Sequence, residues 1–291
     1  MKRIKYLFLI ALALFVTGCD QITFNKDIMD DIDVYTSIYP IEYVTNKIYG
    51  KNANINSMYP AGTNPYKYTF TKKQVEDFGK SDLIIYNGLT KERNNVVRML
   101  NKNKDLKIID ATARIEYTYD IDEIWMNPSN LLTIAQNIKS GLNEYVSGTY
   151  LRNEIDKNYE ELKLELSRLD ADMKDDINNA NYKTIVATTD SIKIFEKYGL
   201  TVYSLDKDSI NDKTYSDITK LIDNGQIKFI YTSSISGNNK YIKDLKTKYP
   251  SLEFVELNSL NNITDSDKKN KKDYITIMNE NRDKLKKELY K

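Results

Sequence analysis

Eight large apolar residues, Leu151, Ile155, Tyr159, Leu162, Leu166, Leu169, Met173 and Ile177, recur at intervals of 4, 4, 3, 4, 3, 4 and 4. That is a single helical stripe about eight turns long, uninterrupted by Gly or Pro, and it predicts a helix over roughly residues 150–179. Short β-branched and aromatic runs lie on both sides of it. Val34–Ile38, Leu83–Tyr86 and Leu106–Asp110 precede the stripe, and Thr184–Ala187, Thr201–Ser204, Lys228–Tyr231 and Glu253–Leu257 follow it. Strands separated by helical patterns argue for an α/β fold with parallel-type sheets. A coiled-coil seam seeking a partner helix is the rival explanation of the stripe. Its position between two α/β stretches favours a long rigid helix joining two lobes, residues 32–147 and 182–291, with 148–181 as the connector. Thr264–Asp273 is polar and lysine-rich and is expected to be a surface loop.

The first residues follow another pattern. Lys2, Arg3 and Lys5 precede an apolar run from Tyr6 to Val16, and Thr17-Gly18-Cys19 ends it. These are the charged, apolar and small-residue parts of a signal peptide, and the apolar part is too short to span a bilayer. Val16-Thr17-Gly18-Cys19 resembles the bacterial lipobox, in which the cysteine is diacylated before cleavage in front of it. Residues 1–18 are thus expected to be a lipoprotein signal peptide, Cys19 the lipidation site, and 19–31 a tether. Two acyl chains anchor stably where one is marginal. The expected product is an extracytoplasmic domain held on the bacterial cell membrane by Cys19.

Composition removes most alternatives. There is no histidine and one cysteine among 291 residues. Imidazole bases, Ser-His-Asp and Cys-His nucleophile systems, histidine zinc sites and intrachain disulfides are therefore excluded. With 43 basic and 42 acidic residues the chain lacks an electrostatic footprint for nucleic acid. A P-loop, a G-x-S-x-G elbow and a paired-carboxylate motif are all missing, so an enzyme is not expected. A monomer is.

Several short segments then carry a resemblance. Thr36-Ser37-Ile38-Tyr39-Pro40, Pro60-Ala61-Gly62-Thr63-Asn64-Pro65-Tyr66-Lys67-Tyr68, Tyr86-Asn87-Gly88-Leu89, Trp125-Met126-Asn127-Pro128, Tyr198-Gly199-Leu200 and the spacing Tyr274…Met278…Asn281…Leu285 follow one another in order. Together they resemble the solute-binding lipoproteins of ABC importers for zinc and manganese. The resemblance implies two α/β lobes bridged by a helix, a cleft between them that holds a divalent metal, and an ABC permease as partner. Thr188 and Asn258 each sit just past a predicted strand, where open α/β sheets place their ligands.

The family's metal ligands are usually His, His, His or Glu, and Asp. Matching the motifs puts Tyr66, Glu123, Thr188 and Asn258 at those positions, with Asp190 two residues beyond the third as a possible substitute. Of the four, Glu123 alone is an anion at neutral pH. Phenol, alcohol and amide are poor donors for Zn²⁺ and Mn²⁺, so tight transition-metal binding is not expected. Three readings of the cleft stay open. Glu123, Asp190, Asn258 and water can form an oxygen site for Ca²⁺ or Mg²⁺. Tyr66, Tyr68 and Trp125 can line an aromatic cleft for an organic solute. Tyr66 can instead pack across a closed, empty cleft. The functional expectation is a solute-binding lipoprotein of an ABC importer; the alternative is a surface-displayed adhesin or accessory protein on the same scaffold.

Overall fold

The computed structural model describes residues 27–233 and 239–291. Cys19 and the whole signal peptide lie outside the described residues. The first sheet contains β1 (Ile32–Thr36), β2 (Ala53–Ser57), β3 (Leu83–Tyr86) and β4 (Lys107–Asp110) in the order β2-β1-β3-β4. The second contains β5 (Thr184–Ala187), β6 (Thr201–Ser204), β7 (Phe229–Ser233) and β8 (Glu253–Leu257) in the order β6-β5-β7-β8. Every pairing is parallel, with registers such as Val34↔Ile55, Ile85↔Ile109 and Ile230↔Phe254. The fold is therefore α/β with two lobes of parallel strands. β2, Ala-Asn-Ile-Asn-Ser, is a strand the sequence pattern does not reveal.

The helices that matter for the site are α1 (Tyr39–Tyr49), α2 (Lys72–Phe78), α3 (Glu92–Lys102), the single turn α4 (Glu123–Met126), α5 (Pro128–Tyr145) and α6 (Thr149–Asn178). In the second lobe a 3₁₀ helix (Asp190–Tyr198) is followed by α7 (Asp212–Asp223), α8 (Lys240–Lys248), α9 (Asp265–Lys269) and α10 (Tyr274–Leu289). The buried residues of α6 are the eight of the predicted stripe. They join α1 and α5 on one side and the 3₁₀ helix and α10 on the other into one continuous core.

Two expectations need correction. Thr264–Asp273 is not all loop, because Thr264 and Asp267 form a reciprocal capping box that starts α9. Residues 27–31, read as tether, belong to the folded lobe. Met29 is fully buried, and Asp27 accepts hydrogen bonds from Ser147 N–H at 2.9 Å and Ser147 Oγ at 3.0 Å.

The lobes meet through aromatic contacts. Tyr43 of α1 stacks on Tyr274 of α10 at 5.5 Å between centroids. The Tyr274 hydroxyl donates to the carbonyl of Trp125 at 2.7 Å.

Candidate functional site

Chain segments leave the C-terminal ends of the parallel strands towards the opposite lobe, as open α/β sheets require of a ligand cleft. The loop after β2 is shaped locally. Asn64 Oδ1 accepts from Tyr66 N–H at 2.9 Å, and the Asn64 carbonyl accepts from Lys67 and Tyr68 N–H at 3.2 and 3.1 Å. This Asx turn aims the Tyr66 hydroxyl inward, while the residue as a whole stays 37% exposed.

The hydroxyl donates to Asp122 Oδ1 at 2.5 Å. Trp125 Nε1 donates to the same oxygen at 3.0 Å and lies 3.3 Å from the Tyr66 oxygen. From the other lobe, Asn261 Nδ2 reaches both Asp122 oxygens at 3.4 Å. Asp122 is fully buried. Burial raises its carboxyl from 3.8 to about 6, against the lowering effect of the donors from Tyr66, Trp125 and Asn261. Burial, and then the negative charge of Asp122, push the Tyr66 phenol upward. The phenol is thus a firm proton donor in this cluster.

The residues matched from the sequence do not all converge here. Glu123 adjoins Asp122 but faces the other way. Its carboxylate accepts from the N–H groups of Thr118, Tyr119 and Asp120 at 2.6, 2.7 and 3.3 Å. Thr188 is buried just past β5, with its N–H on the Tyr231 carbonyl at 2.9 Å. Asn258 is held locally, its Oδ1 accepting from Leu260 N–H at 2.8 Å and its backbone exchanging hydrogen bonds with the Asn281 amide at 2.9 and 2.8 Å. Asp190 pairs with Lys193 at 3.0 Å and accepts from the Ser209 hydroxyl.

Glu123, Asp190 and Asn258 are thus each engaged by local partners, while the charges of Glu123 and Asp190 both bear on Asp120 and Tyr119. Among the described residues, no group of three or more His, Cys, Asp or Glu is placed to hold a metal ion. Trp125 does not line an open cleft either, being fully buried. In place of the matched set, Tyr66 is joined by Asp122 and Asn261, which motif matching missed. Their chemistry does not suit a dication. One carboxylate already satisfied by three donors must be stripped of them, and an indole N–H or amide N–H₂ is a donor rather than a ligand.

The lobes are also clasped beside this cluster. Gly62 N–H is shared between the Ile263 carbonyl and Asn262 Oδ1, each at 3.1 Å, and Asn262 Nδ2 donates to the Thr63 carbonyl. The cavity lined from both lobes here is about 10 Å³, room for about one water. A larger hollow of about 670 Å³ lies on the first lobe, walled by Tyr59, Tyr66, Tyr68, Phe70 and Leu89. At its base Glu92 accepts from Tyr59 Oη and Asn87 N–H, each at 2.9 Å.

Residues 34–288 match the family model for the periplasmic zinc-uptake complex component A. The manganese ABC transporter substrate-binding lipoprotein PsaA of Streptococcus pneumoniae is 26% identical over 220 residues, 69% of this chain and 70% of that protein. The zinc-binding lipoprotein AdcA of the same species is 21% identical over 313 residues, covering 98% of this chain and 61% of AdcA. Among solved structures, the Zn(II)-bound ZnuA-like domain of AdcA superposes with a TM-score of 0.72 at 21% identity, covering 90% of this chain and all of that one. The lipoprotein YcdH of Bacillus subtilis gives 0.74 at 19% identity, covering 89% and 99%.

Proposed function

This chain belongs to the family of the periplasmic zinc-uptake complex component A, a family of substrate-binding proteins of ABC transporters rather than of enzymes, and from that premise we propose that it is a solute-binding lipoprotein whose cleft does not hold zinc or manganese tightly. One observation carries the proposal: at the position matched to a metal-binding imidazole, the Tyr66 phenol is spent on Asp122 at 2.5 Å. A metal must break that bond and displace Trp125 and Asn261 from the one carboxylate that the phenol meets. The cost of uncovering these buried groups is not repaid by neutral oxygen donors. Anchoring through Cys19 and docking on a membrane permease complete the proposed role.

Calorimetry with zinc and manganese on protein freed of bound ions tests it. The expected result is no binding tighter than about 10 µM, equivalent to about 7 kcal/mol. Nanomolar zinc binding overturns the proposal.

A second reading, an adhesin or accessory protein with a non-binding cleft, is favoured by the direct clasp between Gly62 and Asn262. A thermal-shift series with metal ions and small organic solutes separates the two, because a true cargo stabilises by mass action.

A further inference from the structure

Asp27 caps the N-terminus of α6: its Oδ2 accepts from Ser147 and Gly148 N–H, and its Oδ1 from Met29 N–H at 2.9 Å. Gly148 permits this approach, since a Cβ there would lie 2.9 Å from that carboxylate oxygen. Ile28 is the next residue after Asp27, and Tyr150 lies two residues beyond Gly148. They are the two most exposed large apolar side chains among the described residues, at 72% and 78%. Two unrelated segments thus bring their most exposed apolar groups to one junction.

On the lipoprotein reading, the anchor would arrive at that junction. From Cys19 to Asp27 there are eight residue steps, which span at most about 29 Å when fully extended. The junction also lies at the N-terminal end of the first sheet's strands, where β1 begins, whereas Tyr66 and Asp122 follow the strands' C-terminal ends. Tyrosine suits the bilayer interface, with an apolar ring and a polar tip, and an isoleucine beside it adds apolar area.

We propose that this end of the first lobe rests on the lipid surface, with Ile28 and Tyr150 in the headgroup region. The proposal rests on the lipoprotein reading above. It adds a contact surface and an orientation that lipidation alone does not require.

The far end of α6 supplies the control. Tyr290, 41% exposed, donates its hydroxyl to the Asp176 carbonyl, 26 residues along the helix from Tyr150 and therefore about 39 Å away. Full-length lipidated protein is reconstituted on vesicles of phosphatidylcholine and phosphatidylglycerol with brominated acyl chains. Tyr150→Trp and Tyr290→Trp are compared by fluorescence quenching, with fully buried Trp125 giving the same background in both. Flotation of wild type and Cys19→Ala is measured alongside.

The expected result is flotation that depends on Cys19, with the indole introduced by Tyr150→Trp quenched at least about twofold more than that introduced by Tyr290→Trp. Cys19-dependent flotation with equal quenching, or with none at either position, overturns the membrane contact and leaves the lipoprotein reading standing. Flotation that ignores Cys19, or no flotation, overturns the lipoprotein reading and the contact with it.

Discussion

Tyr66 and Asp122 face each other at 2.5 Å, the phenol donating to a carboxylate sealed beneath it by Trp125 and Asn261. A hydroxyl donating to an ionised carboxylate makes a charge-assisted bond. Tyr66→Phe leaves the buried carboxylate short of a donor. The expected cost is about 1–3 kcal/mol in urea denaturation. The phenol bond lowers the Asp122 carboxyl, so its removal should raise that group above its present value of about 6, as read by carbon NMR titration. An unchanged titration and unchanged stability would sink the assignment.

Stability should fall as pH rises from about 4 to about 7. Burial lifts Asp122 from 3.8 to about 6 and Glu92 from 4.5 to about 7, so the folded chain holds both protons more tightly than the unfolded one. Stability from this source is complete below the unfolded values and is lost as pH climbs through the folded ones. Each group contributes on the order of 3 kcal/mol across that window. Asp122→Asn and Glu92→Gln should each remove a share of the slope in urea midpoints measured against pH. Slopes unaltered by both substitutions would count against the account.

The neighbours of Asp122 also indicate how to build a zinc site. Tyr66→His with Asn261→His places two imidazoles beside a carboxylate that is already buried, one from each lobe. Zinc prefers that donor set, and the double variant should bind one zinc ion measurably in calorimetry where wild type does not. Asp122→Asn in the same background should abolish the gain. Restoration of zinc binding by Glu123→His instead would show that the loop turns over in solution.

Asn262 closes the lobes by bonding the Gly62–Thr63 backbone. Asn262→Ala should cost about 1–2 kcal/mol and loosen the clasp. Small-angle scattering should report a larger radius of gyration, with faster amide exchange at residues 60–64. A variant as compact and as protected as wild type would place the closing force elsewhere, with the Tyr43–Tyr274 stack as the first candidate.

Much of the fold is legible in the residues because burial imposes a period on them. The 4/3 spacing of α6 names its eight buried residues, and seven strands stand out as β-branched runs. β2 escapes notice because Asn54 and Asn56 break its apolar character, and as an edge strand none of its residues is deeply buried. The site is less legible. Motif spacing leads to Glu123, but the N–H groups of residues 118–120 capture that carboxylate and leave its neighbour to face Tyr66. Spacing leads equally to Asn258, yet the chain reverses at Leu260, whose φ of 64° lies in the left-handed region. A buried leucine is among the least expected residues there, so nothing in Leu257-Asn258-Ser259-Leu260 announces that Asn261 will point at Asp122.

The stripe on α6 has a thermodynamic corollary. Leu151 and Ile155 lie at its first-lobe end and Met173 and Ile177 at its far end, all within one uninterrupted apolar mass that includes both sheets. Cutting the chain on either side of the helix would leave one half with a bare hydrophobic face and the other without its backing. Neither lobe is an independent folding unit, and the two sheets should melt together in a single cooperative transition despite sharing no strand.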